Sequence, residues 1–267
     1  MLRVIVIGAA GRMGKRLVIN TVNSEDLKLT GAVEFAASPF IGKDAGMVAG
    51  IENCGVNISA ELKPLLQNAD AIIDFSTGTV IENARLAVEA GCSVVIGTTA
   101  LKEDDKKELK ALSAKGGRIV FASNFSVGVN LLFHLAGKAA KILGDSYDIE
   151  IVEMHHNQKK DAPSGTAARL AEVLCEARNF AYDKNVKHGR EGIVGARPKN
   201  EIGMHAVRGG DVVGDHTVIF ATEGERVELT HKASSRDTFA KGAVRAVRFL
   251  SSAQPGLYDM QDVLGLK

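Results

Sequence analysis

Residues 4–17 read VIVIGAAGRMGKRL. Four β-branched apolar residues, Val4 to Ile7, run straight into Gly8. A short apolar run closed by glycine reads as a strand buried on both faces. From Arg12 to Val22 the apolar residues take helical spacing instead. Gly8, Gly11 and Gly14 therefore fall at a strand-to-helix junction. Glycine permits backbone angles closed to other residues and lets a pyrophosphate approach the main chain. The helix start adds N–H groups and a partial positive charge. The Gly-x-x-Gly-x-x-Gly spacing is a variant of the dinucleotide fingerprint, and its weight comes from opening a βαβ series. Glu34 lies twenty residues after Gly14, at the end of the next expected strand. An acid there bonds adenosine ribose hydroxyls and repels a 2′-phosphate. Phe35 follows, and no base occurs until Lys43, although Arg12, Lys15 and Arg16 could meet a phosphate. The expected cofactor is NADH, with NADPH as a second donor.

Outward from this turn, strand and helix alternate for about 125 residues. LTGAVEF (29–35), DAIIDFS (70–76), CSVVIGTT (92–99) and GRIVFASN (117–124) read as strands. VIENARLAVEAG (80–91) and KEDDKKELKALSAKGG (102–117) read as amphipathic helices closed by glycine. That order predicts an α/β fold, a Rossmann-like doubly wound parallel sheet with right-handed crossovers. Gly97, Thr98 and Thr99, and Ala122, Ser123, Asn124 and Phe125, sit at strand carboxyl ends, where open parallel sheets bind ligands.

The pattern changes after Asn124. A long helix (128–143), a strand (147–156), a helix (164–179) and three consecutive strands (203–210, 212–222, 225–234) predict an inserted α+β domain whose separate sheet is open on one face and covered by helices on the other. Residues 237–252 form a last helix, followed by a short tail. The expected division is a dinucleotide-binding domain of residues 1–126, completed by 236–267, and a second, inserted domain of 127–235.

Composition narrows the function. The 267 residues carry 33 Lys and Arg against 32 Asp and Glu, without the basic excess of a general nucleic-acid binder. No apolar run reaches the ~18 residues that cross a bilayer. Cys54, Cys92 and Cys175 are too few and too scattered for a disulfide framework or a zinc site, which fits a reducing cytoplasm.

The chemistry concentrates in EMHHNQKKDAPSGTA, residues 153–167. His155, His156, Lys159 and Lys160 in one loop suit an anionic substrate and can give protons. Ser164, Gly165 and Thr166 at a helix start add hydroxyls and N–H groups. Pro163 stiffens the entry. The set is too small for a metal, and PSG is not a nucleophile elbow. A solvated basic loop is the plain alternative, against which the helix start and the dinucleotide fold both weigh.

EMHHNQKKDAPSGTA closely resembles the signature of the 4-hydroxy-tetrahydrodipicolinate reductase (dihydrodipicolinate reductase) family. GAAGRMG, DFS, GTT, FASNFSVGVNLL, RGGDVVGDHTVIF and HKASSRDTFAKGAVRA extend the resemblance along the chain. It implies NADH- or NADPH-dependent reduction of a cyclic dicarboxylate imine on the diaminopimelate route to lysine, by a cytoplasmic homotetramer with a Rossmann-like domain and, over 127–235, a mixed-sheet substrate-binding and oligomerisation domain. By the same resemblance His155 is the acid/base residue and Lys159 the proton donor. His156 contacts substrate, and Gly165 and Thr166 hold a carboxylate. Gly8, Ala9, Ala10, Gly11, Arg12, Met13, Glu34, Gly97 to Thr99 and Ala122 to Phe125 match cofactor positions. Two departures stand out. Phe35 replaces a basic residue common in the family, and Asn157 and Gln158 replace a further histidine or arginine. Lys160 receives no catalytic role. Two rival readings are a Rossmann dehydrogenase for another small anion and a non-catalytic dinucleotide-sensing regulator, which would need the glycines and Glu34 but not His155 and Lys159.

Overall fold

The computed structural model describes residues 1–98 and 101–267. Along the chain these form β1 (Leu2–Ile7), α1 (Arg12–Val22), β2 (Leu27–Val33), α2 (Ala45–Ala49), β3 (Ile58–Ser59), β4 (Ala71–Asp74), α3 (Val80–Glu89), β5 (Ser93–Ile96), α4 (Glu103–Ala114) and β6 (Arg118–Phe121). Then come α5 (Val127–Leu143), β7 (Asp148–His155), α6 (Gly165–Arg178), α7 (Tyr182–Asn185), β8 (Val186–His188), β9 (Ile202–Arg208), β10 (Gly214–Thr222), β11 (Glu225–Ala233), α8 (Asp237–Ser252), β12 (Gly256–Tyr258) and α9 (Met260–Val263). Two compact units result: Met1–Val127 with Arg236–Lys267, and Gly128–Ser235.

The first unit carries a seven-stranded sheet ordered β12-β6-β5-β4-β1-β2-β3, and every neighbouring pair is parallel. The unbroken apolar run of β1 follows from burial on both faces. Val4 and Val6 enter a core with residues of α1 and α8, while Ile5 and Ile7 enter a second core with residues of α3 and α4. Full burial of each such side chain is worth roughly 1.5–3 kcal/mol. Strand order reverses between β1 and β4, a topological switch point, and ligands of open sheets bind outside the carboxyl ends of such strands.

The expected short tail instead supplies a strand, since β12 pairs with β6. The strands β3 and β8, of two and three residues, also went unread. Elements this short show no periodicity and are fixed by pairing to a neighbour.

In the second unit the order is β11-β10-β7-β9-β8. β10 runs antiparallel to β7 and β11, whereas β7, β9 and β8 are parallel. The sheet is therefore mixed. β9 and β10 are consecutive in sequence but not paired, because β7 lies between them. The chain leaving β9 crosses the end of β7, held by Gly209 N–H to His155 O (2.9 Å) and His156 N–H to Val212 O (2.7 Å). One sheet face packs Ile149, Ile151, Val218 and Phe220 against apolar residues of α5 and α6.

Candidate active site

The glycine turn closes β1 onto α1. Gly8 has φ +71°, a left-handed value that suits glycine. A Cβ on Gly14 would lie 1.9 Å from the Gly8 carbonyl oxygen, so helix and strand meet at a distance no side chain allows. Gly11 N-caps α1, with no side-chain cap and no acid in the first turn. The helix start thus keeps its affinity for an anion. Ala9 is buried, and Ala10, Arg12 and Met13 complete the turn. Glu34 follows β2 and reaches back to the turn. Ala10 N–H donates to its Oε2 (3.0 Å) and Phe35 N–H to its Oε1 (3.2 Å).

The ends of β4, β5 and β6 complete this edge. Asp74 is fully buried and accepts from Ser76 N–H (2.8 Å) and Asn83 Nδ2 (2.8 Å). A Cβ on Gly97 would strike the Phe75 ring at 2.1 Å. That ring lies 5.2 Å, centroid to centroid, from Phe125. Ala122 N–H bonds Ile96 O (3.2 Å), and Asn124 Oδ1 accepts from Ser126 N–H (2.8 Å). Thr98 and Ala122 are buried and Ser123 is exposed. Thr99 lies outside the described residues. The expected cofactor residues that are described therefore line the carboxyl edge of β1, β2, β5 and β6. Phe75 and Ser76, at the end of β4, join them. They belong to the DFS motif but had no assigned role, since the strand end at Asp74 becomes a ligand edge only once the strand order is known.

In the second unit the core face of β7 changes character along its length. Residues 149, 151, 153 and 155 alternate inward as Ile, Ile, Glu and His. Glu153 has no exposed surface. Its carboxylate accepts two bonds from Arg208 (2.8 and 2.9 Å) and one from Ser164 N–H (3.0 Å), and lies 2.6 Å from His155 Nδ1. Burial pushes the Glu153 carboxyl up, but the bonds from Arg208, His155 and Ser164 outweigh it and hold it below the ordinary value. An ionised carboxylate only accepts, so the His155 proton sits on Nδ1 and Nε2 carries the lone pair. Burial depresses the His155 pKa more than Glu153 raises it, and nearby Lys159 and Arg208 depress it further.

Arg208 also donates to Asp161 O (2.6 Å), which ties the 156–164 loop to the same group. Lys159 Nζ pairs with Asp161 Oδ2 at 2.9 Å, and Lys159 pulls the Asp161 carboxyl down. His156 is half-buried, whereas Asn157, Gln158 and Lys160 are exposed. Ser164 N-caps α6, its Oγ accepting from Ala167 N–H (3.2 Å), and Gly165 and Thr166 open the helix.

The fold thus gathers His155, His156, Lys159, Ser164, Gly165 and Thr166 at the end of β7 and the start of α6. Sequence reading missed Glu153, Arg208, Gly214 and His216. The period-two spacing of Glu153 and His155 carried a signal, because it puts both on one strand face. Arg208 and His216 arrive from β9 and β10 by pairing alone. Among the described residues no three His, Cys, Asp or Glu side chains group as a metal would need.

The family description "Dihydrodipicolinate reductase, N-terminus" matches residues 2–125, and "Dihydrodipicolinate reductase, C-terminus" matches residues 128–264. The 4-hydroxy-tetrahydrodipicolinate reductases of Syntrophotalea carbinolica and Hahella chejuensis are each 50% identical over 268 residues, covering 100% of both chains. A dipicolinate-bound dihydrodipicolinate reductase from Paenisporosarcina sp. TG-14 superposes with a TM-score of 0.79 at 26% identity, covering 98% of each chain. An amine dehydrogenase from Mycobacterium smegmatis, at 15% identity and a TM-score of 0.59, shares the fold alone. With both family descriptions matched and half its residues identical to full-length relatives, the chain belongs to the dihydrodipicolinate reductase family.

Proposed function

We propose that the protein reduces 4-hydroxy-tetrahydrodipicolinate to tetrahydrodipicolinate with a nicotinamide cofactor, on the diaminopimelate route to lysine. The observation that carries this reading is the Glu153 cluster. It fixes His155 and the loop bearing Lys159 beside a serine-capped helix start, which suits a small dicarboxylate.

The first unit fits a dinucleotide: side chains at Gly11 and Gly14 would fill the turn, and Glu34 is held beside it by Ala10. When bound, the cofactor supplies the hydride. The α1 N-terminus would hold its pyrophosphate, and Glu34 would bond the ribose hydroxyls. Gly97, Thr98 and Ala122 to Phe125 would complete the contacts. The anchored Glu34 carboxylate favours NADH, and NADPH is a second donor.

In the second unit Gly165, Thr166 and Ser164 hold one carboxylate, and His156 contacts the substrate. The substrate's 4-hydroxyl leaves as water before or with reduction, the hydride would go to C4 of the conjugated ring, and negative charge would move through the enamine toward the ring nitrogen. Lys159 stabilises that charge more in the transition state than in the ground state, then gives the proton. Lys159 must first exchange Asp161 for substrate. His155, neutral because its pKa is depressed, presents Nε2 as the base of the pair. The three free cysteines suit a reducing cytoplasm, and the resemblance favours a homotetramer.

The test is NADH oxidation on adding the product of the preceding aldolase-type enzyme. Consumption of NADH matched to substrate supports the reading. Binding of NADH without its oxidation would leave a dinucleotide-sensing regulator.

A further inference from the structure

His216 is 3% exposed and sits opposite Glu153 in the β10–β7 register. Its Nε2 lies 3.1 Å from Ser164 Oγ, and its Nδ1 has no hydrogen-bond partner. Its ring meets that of His155 edge-on, with centroids 5.2 Å apart and planes at 76°. Gly214 leaves room for this pair, since a Cβ there would lie 2.9 Å from His155 Nε2 and 3.6 Å from His216 Cε1. Burial, then the adjacent His155, push the His216 pKa down to about 3, and the other charged groups acting on it are Glu153, His231 and Lys159. The ring is therefore neutral near neutrality and carries one N–H.

Two tautomers are open to it. With the proton on Nδ1, a buried N–H would lack any acceptor, and Nε2 would draw the Ser164 hydroxyl proton inward. With the proton on Nε2, the N–H donates to Ser164 Oγ and only a ring lone pair is left unmatched. Buried N–H groups without partners are rarer than under-satisfied acceptors, which selects the Nε2–H form. Ser164 Oγ then accepts twice, from His216 and from the Ala167 amide at 3.2 Å. A hydroxyl has two acceptor sites and one proton. Both acceptor sites are used, so the proton is held for a third group.

We propose that His216 is a positioning residue: by donating from Nε2 to Ser164 Oγ, it fixes the Ser164 hydroxyl as a donor to a substrate carboxylate at the start of α6. The inference rests on the dicarboxylate reading for the identity of the acceptor, but not for the tautomer. It also explains why a helix cap that needs only an acceptor is backed by a second buried donor.

The experiment has two arms. In the first, long-range proton–nitrogen spectra of wild-type enzyme with 15N-histidine report the His216 tautomer, assigned by the signal lost in His216→Gln. The Nε2–H form is expected, and the Nδ1–H form would overturn the proposal whether or not any variant folds. In the second, Kd for dipicolinate is measured with NADH present, and KM and kcat with the natural substrate. His216→Leu should weaken dipicolinate and raise the substrate KM about tenfold, the scale of a lost bond to a charged group, while kcat and NADH affinity hold. His216→Gln keeps a donor near the Nε2 position and should recover most of the loss. In a Ser164→Ala background, His216→Leu should add less than about twofold, because the two residues act as one unit. Equal losses in the Leu and Gln variants, or effects that multiply in the double variant, would overturn it. A wild-type enzyme that neither binds dipicolinate nor oxidises NADH would instead overturn the functional reading on which the acceptor depends.

Discussion

Glu153 Oε2 and His155 Nδ1 lie 2.6 Å apart on the same buried face of β7, and Arg208 grips the same carboxylate with two bonds. One residue thereby sets the tautomer of a histidine, anchors an arginine and holds the loop that carries Lys159. Glu153→Gln would place an amide donor against N–H groups that need an acceptor. Its expected effects are a kcat lower by at least ~10²-fold, the lower range for lost acid–base function, and a loss of ~3 kcal/mol in stability. NADH affinity should hold. Steady-state kinetics with chemical denaturation decide this, and a fully active Glu153→Gln enzyme would remove the carboxylate from the mechanism.

Lys159 and Lys160 are neighbours in sequence with different surroundings. Lys159 is largely covered and paired with Asp161, while Lys160 is exposed. Lys159→Ala should lower kcat by at least ~10²-fold with NADH binding nearly unchanged, and Lys160→Ala should be mild. A more damaging Lys160→Ala would mean that the register of these assignments is wrong.

Glu34 is held at the turn by the Ala10 amide, and Phe35 beside it is exposed and uncharged. Repelling a 2′-phosphate costs NADPH, so kcat/KM for NADH should at least equal that for NADPH. Phe35→Arg should move the ratio toward NADPH by supplying an ion pair. Paired kinetics with the two cofactors check both. Strong NADPH preference in the wild type would show that Arg12, Lys15 or Arg16 dominates.

Gly11 and Gly14 should separate binding from folding. A Cβ at Gly14 meets backbone at 1.9 Å, whereas one at Gly11 stands 3.2 Å from the Gly8 carbonyl. Gly14→Ala should destabilise the first unit by at least ~1–3 kcal/mol, the cost of overpacking. Gly11→Ala should change stability little but weaken NADH about tenfold, or ~1.4 kcal/mol. Thermal unfolding and fluorescence titration of both variants suffice, and equal loss of stability would deny the distinction.

Acid should act on the second unit in two steps. The unfolded chain protonates His216 near 6.5, but the fold resists until about 3. The unfolded state therefore binds the extra proton in between, and stability falls as pH drops through that window. Glu150 adds a later loss. Burial pushes it up, but Arg190, Arg197 and His205 hold it at about 2 against an ordinary 4.5. Its stabilising ion pairs are lost as pH falls from 4.5 toward 2. Denaturation curves of wild type and His216→Gln between about pH 7 and pH 5, either side of the ordinary histidine pKa, should diverge, with the variant flatter. Parallel curves would show that His216 is not the group titrating.

The sequence alone determined the doubly wound sheet, because burial on both faces demands an unbroken apolar run, and a tight strand-to-helix turn demands glycine. It also determined the loop from His155 to Thr166, since contiguous polar residues are legible without any knowledge of pairing. The tertiary structure decided the rest. β7 lies between β9 and β10, an order that local patterning does not encode, since three strands of similar period could pair in several ways. That order brings Arg208 and His216, 55 and 52 residues from their partners Glu153 and Ser164, into one buried cluster. Their bonds exist only in that strand order, because hydrogen bonding between distant groups depends on register and burial rather than on the identity of neighbours in sequence.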